Sequence, residues 1–211
     1  MAVTVPVPWA RYSLRPGEFS CDYLPRTMSG GPSFTGFTQD TSVDTGIWQI
    51  RYGKIPIVTA ADLMLFRSYA LQINGRANQV LVPIYSNKTA PWASGVKNSS
   101  ISAKVIGSTA IRAVSIVIEM DTGGTVYAGQ FFTIANRLYG IANISATAVV
   151  GGKTQYTCDI LPPLRAAAAD NAAVSFDSLI STCKLLTDTE MSARLTPGEF
   201  TYADVNFIED F

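Results

Sequence analysis

The chain has 211 residues, 47% of them hydrophobic, and its 16 basic side chains are balanced by 16 acidic ones. A formal net charge of zero leaves no basic footprint for nucleic acid or for an anionic membrane surface. The sequence contains no histidine, which removes Ser-His-Asp and Cys-His catalysis, His-ligated metals and imidazole switches in one step.

The N-terminus, MAVTVPVPWARY, lacks a basic region followed by an apolar one, so no signal peptide is expected. Residues 1–40 are rich in Pro, Gly, Ser and Thr, and SGGPSFTG (29–36) reads as a loop or extended arm. From Gly46 the texture changes. In GIWQIRYGKIPIV, Trp48, Ile50 and Tyr52 alternate with Gln49 and Arg51, the period of a half-buried strand. A helix follows over 59–74. Thr59 is its N-cap and Asp62 completes a shortened capping box. Leu63, Phe66, Ala70 and Ile73 line one face, and Gly75 is placed to stop it. The strand QVLVPIYS (79–86) comes next.

Near Lys97 the pattern becomes one of short strands with Gly- or Asn-bearing turns: SAKVIGS, AVSIVIEM, GQFFTIA, RLYGIANI, ATAVV, QYTCDIL, AVSF and STCKLL. Such spacing predicts a small barrel or sandwich. Even AVSIVIEM is far short of the roughly 20 apolar residues that cross a bilayer, so no membrane partner is expected. A short helical turn is expected at PLRAAAAD, with Pro163 in its first turn. The closing segment GEFTYADVNFIEDF alternates again, and its natural partner is the strand at 46–57. The predicted fold is mainly β. Residues 1–96 plus 187–211 form a β-sandwich with one flanking helix, and 97–186 form an inserted small β-barrel or sandwich.

Few residues carry chemistry. Asp-Thr-Gly occurs at Asp44 and at Asp121, the tripeptide that bears the catalytic carboxylate of aspartic proteases. That chemistry needs two carboxylates about 3 Å apart, on matched lobes or two chains. Here the flanks, TSVDTGIWQ and IEMDTGGTV, are unlike, so both are expected in turns of separate domains, with no dyad. Cys21, Cys158 and Cys183 contain no Cys-x-x-Cys pair. They read as small buried hydrophobes, with a Cys158–Cys183 bridge as the other reading. Sequons at Asn87, Asn98 and Asn143 are read as chance. No catalytic, cofactor-binding or metal-ligating residue is assigned and no cofactor is expected.

The order GIWQIRYGKIPI, helix, GRANQVLVPIYS, APW, GQFFTIANRLYGI, CDILPPLRAAAADNAAVSF and a last strand ending in DF resembles the minor tail proteins of tailed bacteriophages, among the distal-tail or tail-tip structural proteins. The resemblance spans about residues 40–211. It implies a tail-tube-like sandwich with a flanking helix, a homo-oligomeric ring, expected as a hexamer, and an outward-projecting β domain. Its implied partners are the tube and hub proteins of the tail, with no direct nucleic acid. Its implied place is the virion, assembled in the host cytoplasm. No enzymatic activity is implied. The alternative function is a carbohydrate-binding tail module touching the host surface through Trp92, Tyr127 or Tyr139.

Overall fold

A computed structural model describes residues 5–10, 12–32, 38–85, 102–122, 125–192 and 201–210, without the side chains of residues 28, 32, 38–45 and 122. The fold is mainly β. Among the described residues one helix and twelve strands form two six-stranded sheets.

The first sheet takes both ends of the chain. Its strands are β1 (Val7–Pro8), β2 (Glu18–Pro32), β3 (Thr38–Ile57), β4 (Val80–Pro83), β11 (Ile180–Leu185) and β12 (Thr201–Glu209), in the order β1-β4-β11-β12-β3-β2. Only the β1–β4 pair is parallel. The closing strand pairs with the 46–57 segment as its alternation predicts, Thr201 opposite Ile57 and Phe207 opposite Ile50. Trp48, Ile50 and Tyr52 face inward with Val205 and Phe207, whereas Arg51 is exposed.

Between β3 and β4 lies α1 (Ala60–Ile73). The Thr59 side chain accepts from the Asp62 N–H, and the Asp62 carboxylate accepts from the Thr59 N–H at 3.0 Å, so two otherwise orphaned donors are satisfied. The stop differs from the expectation by one residue. Asn74 takes the left-handed cap, with φ 51°, and Gly75 continues it. Phe66 and Ile73 of the predicted stripe are buried, while Leu63 packs at the border of the same core.

The second sheet comprises β5 (Ser102–Val105), β6 (Ser115–Thr122), β7 (Phe131–Ile134), β8 (Arg137–Val150), β9 (Lys153–Leu161) and β10 (Ala173–Val174), in the order β10-β5-β6-β9-β8-β7. It nearly closes into a barrel. Thr133 and Ser175 exchange both backbone hydrogen bonds, 2.8 and 2.9 Å, across the seam between the β7 and β10 ends. Val105, Ile118, Phe132, Cys158 and Ile160 fill the interior.

Four local expectations are corrected. The segment STCKLL, grouped with the inserted module, is β11 and fills the gap between β4 and β12 of the first sheet. Its residues Ser181 to Cys183 are fully enclosed, which an edge position of the barrel could not provide. The N-terminal region is not only loop. Residues 18–32 form β2, antiparallel to β3, and Trp9 and Leu14 are core residues. Proline and glycine lower strand propensity, but pairing against a long neighbour overrides it. RLYGIANI and ATAVV are one continuous strand, β8, along β9. PLRAAAAD is not helical. Leu164 and Ala168 instead exchange backbone hydrogen bonds with Ala113, Arg112 and Thr109, which occupy the groups a helix would need.

Candidate functional site

The Asp-Thr-Gly segments carry the one catalytic suggestion in the sequence. Asp44 and Asp121 themselves lie in strands rather than in turns, and Gly123 of the second segment lies outside the described residues. Asp44, Thr45 and Gly46 sit inside β3, where the register slips so that three residues face Pro25 alone. Proline offers no N–H, so the extra residues cost that ladder little. Gly46 is required there, because a Cβ would come within 1.9 Å of the Tyr23 hydroxyl. The side chain of Asp44 lies outside the described residues.

Asp121 is the extra residue of a bulge in β6, between the Ala103–Met120 and Ser102–Thr122 pairs. Its carboxylate accepts from the Lys153 ammonium and from the Ser102 hydroxyl at 3.2 Å. The Lys153 hydrogen bond holds Asp121 below the usual carboxylate range. Glu119 stands beside it, 3.4 Å from Lys104 and 3.5 Å from Lys153, with Gln155 donating at 2.7 Å. That amide is the main reason its pKa is also low. Glu119 is only 6% exposed, yet what covers it are polar side chains on the outer barrel face. Lowered carboxylates each held by cations are the opposite of a proton-sharing dyad, which needs one raised value. The two aspartates belong to different sheets, so the ladder on β5, β6 and β9 is an electrostatic tie across strands.

The cysteines are equally quiet. All three are free, and Cys158 and Cys183 are buried in different sheets, so the alternative bridge between them is not formed. Burial pushes the Cys158 and Cys183 thiols up to about 12 and Cys21 above its ordinary value as well. Such buried thiols stay protonated near neutral pH and are poor nucleophiles.

Of the three aromatic candidates for glycan stacking, Trp92 lies outside the described residues. Tyr139 is 1% exposed, stacks on Phe132 at 5.5 Å and accepts the Arg165 N–H, so its ring belongs to the barrel core. Tyr127 is 52% exposed. A shallow open groove on the first sheet, lined by Glu18, Phe19, Ser20, Arg51 and Gly53, is polar and carries no converging catalytic groups.

What the structure builds with care is the junction between the sheets. Arg165 follows the Leu161–Leu164 segment and reaches the first sheet, where its guanidinium lies 3.4 and 3.5 Å from the Glu209 carboxylate and donates to the Gly46 carbonyl. Glu209 also accepts the Trp48 N–H at 3.2 Å. Both side chains of this pair are almost wholly enclosed, 8% and 0% exposed. Burial pushes Glu209 upward, and the charge and hydrogen bonds of Arg165 only partly offset it. The Trp48 indole donates to the Leu138 carbonyl at 2.9 Å, and its ring meets Phe131 edge-on at 5.1 Å.

The β7–β8 turn makes the second clasp. Ala135 and Asn136 both take positive φ, 47° and 63°, the pair a two-residue hairpin turn of this hand requires. That turn aims the Asn136 carbonyl at Thr182 of β11, whose N–H and hydroxyl both donate at 2.9 Å. Thr133 exchanges hydroxyl contacts with Ile180, and Arg137 donates to the Asp210 carbonyl. The sequence reading singled out Arg165 and Arg137 only as parts of longer stretches. The partners, Glu209 at the end of β12 and the Asp210 carbonyl just after it, lie far away along the chain, and nothing local announces them.

The outward surfaces are the other notable feature. Met64 and Leu71 are 68% and 81% exposed on the face of α1 opposite Phe66 and Ile73, beside the exposed Arg67. Residues 24–32 and 38–47 continue as a two-stranded ribbon where β12 no longer pairs with β3. No protein-family model and no curated protein matches the chain.

Proposed function

We propose that the chain is a structural subunit of a bacteriophage tail tip, forming a ring that joins the tail tube to the baseplate or hub. The observation that carries this reading is the outward face of α1. A helix on the surface of a monomer ordinarily turns charged residues to water. Here Met64 and Leu71 occupy that face with Arg67 as its one charged residue. A heterologous interface repeated until it closes would cover such a face in every subunit. The two-stranded ribbon adds to the case, since an isolated pair of strands is marginal in water and gains from a neighbour. The order of strand and helix motifs over residues 40–211 supports the tail assignment, and that order predicts a hexamer in the virion with tube and hub proteins as neighbours. The role is structural rather than enzymatic, with buried junction groups that hold two sheets together.

Native mass spectrometry and negative-stain imaging of the purified chain test the proposal. A ring is expected, six-fold by the resemblance, and Met64→Glu with Leu71→Lys should reduce it to smaller species without loss of folding. A chain that stays monomeric at high concentration, or rings unaffected by the double substitution, would overturn it.

A further inference from the structure

Edge strands are normally disarmed by charge, proline, bulges or short length. The described edges can be compared on that basis. β1 is only two residues long and ends in proline. The outer edge of β2 carries Glu18, Asp22, Pro25, Arg26 and Pro32. β7 and β10 close on each other at Thr133 and Ser175. β8 is different. β7 covers it through Gly140, and Ile141 donates to the Gln130 carbonyl at 2.9 Å. Beyond that point, residues 142–150 read Ala-Asn-Ile-Ser-Ala-Thr-Ala-Val-Val, with no charge and no proline. Among the described residues their only strand partner is β9. Bulges at Ala142 and Ser145 bend the first half, but Ala146 to Val150 run in regular register, exposed throughout.

We infer that the Ala146–Val150 edge of β8 pairs antiparallel with the same edge of a second copy of this chain, about a two-fold axis through Ala148. The occupant follows from the edge's own chemistry. In that register Ala146 stands opposite Val150 of the other copy and Thr147 opposite its Val149. Small residues therefore face larger branched ones, and no like charges meet. β-Branched cross-strand neighbours of this kind stabilise a pair. Val149 and Val150 are 71% and 52% exposed in the single chain and would be covered. The Gly151-Gly152 turn, with φ 58° and 79°, keeps the hairpin end narrow enough for a second hairpin to lie alongside. This pairing uses the second sheet only and does not rest on the ring, whose proposed contacts lie on α1.

The register itself can be tested with the full chain. Thr147→Lys with Val149→Lys places lysine opposite lysine at two positions and should weaken the two-fold association at least tenfold in sedimentation velocity. Thr147→Glu with Val149→Lys places opposite charges at the same positions and should restore it. Ala148→Cys should give a disulfide-linked pair under mild oxidation, because directly opposed Cα atoms in an antiparallel pair lie about 4.5–5.5 Å apart, within disulfide range. Ser145→Cys, in the bulge, should not. Circular dichroism melts check that each variant folds. The chain carrying only Met64→Glu and Leu71→Lys separates this step from ring formation, since it should still form pairs. If that protein stays single at high concentration, or the lysine pair and the glutamate–lysine pair behave alike, the inference fails and the edge is left to a strand of another protein.

Discussion

The two cores are made differently. The first sheet gathers large rings, with Tyr52 fully buried among Trp9, Phe19, Tyr85 and Phe207 at centroid distances of 5.3–6.0 Å. Two polar tips are anchored: the Tyr52 hydroxyl donates to the Pro83 carbonyl and the Trp9 indole to the Leu14 carbonyl at 3.1 Å. The barrel core is mostly aliphatic, with one smaller group of rings, Phe132, Tyr139 and Phe176. An open sheet must recruit separate pieces to cover its face, here α1, the Trp9 segment and the barrel's own Leu138. A closing sheet covers itself. The first sheet should therefore depend on distant chain segments far more than the barrel does.

Deletion tests that contrast most strongly. Removing residues 97–186 takes β11 from between β4 and β12 and should abolish cooperative unfolding of the remainder. Removing 97–178 keeps β11 and should leave a cooperative, weakened fold. Equal behaviour of the two deletions in denaturant melts would show that β11 is not integral to the first sheet.

Single core truncations come next. Phe66→Ala, at 1% exposure, and Phe132→Ala, at 0%, should each cost about 3–5 kcal/mol. Leu71→Ala on the outer face of α1 should change monomer stability by about 0.5 kcal/mol or less. If the sheets fold as one unit, Phe66→Ala and Phe132→Ala will shift the same transition. Two separable transitions would make the barrel independent.

The junction should be worth somewhat less. Arg165→Ala leaves Glu209 enclosed without its cation, and breaking a buried pair this way costs about 3 kcal/mol or more. Glu209 keeps the Trp48 N–H as donor, which places the expectation at the low end. Replacing both residues by apolar ones of similar size should recover much of the loss. A double-mutant cycle showing no coupling would remove the clasp from the account.

Acid should separate the sheets by sign. Asp121 and Glu119 have lowered pKa values in the folded barrel, so their contribution is present above the ordinary carboxylate range and lost as pH falls through the folded values. Glu209 is raised, so its term runs the other way, favourable below the ordinary range and lost as pH rises through its folded value. Barrel-reporting signals should therefore weaken first on acidification, and Lys153→Met should flatten that response. Asp121→Asn keeps an acceptor for Ser102 and Lys153 and should leave the melting curve at neutral pH nearly unchanged.

Alternation and capping are local, so the strand at Gly46–Ile57, the last strand and the helix with its Thr59–Asp62 box were legible residue by residue. Most barrel strands were legible for the same reason, although the break expected between RLYGIANI and ATAVV is absent from β8. What remained hidden were matters of partnership. Nothing within STCKLL says which sheet it joins, because a buried strand reads alike in either. Nothing in the sequence places Asp44 and Asp121 in bulges; the partner strands impose it through Pro25 and the Ala103–Ser102 slip. The Arg165–Glu209 clasp is separated by 44 residues, and no local pattern predicts that the two must meet. Side-chain periodicity is set by each segment's own backbone, whereas strand neighbours and buried ion pairs are set by which distant surfaces exclude water together, and only the folded chain decides that.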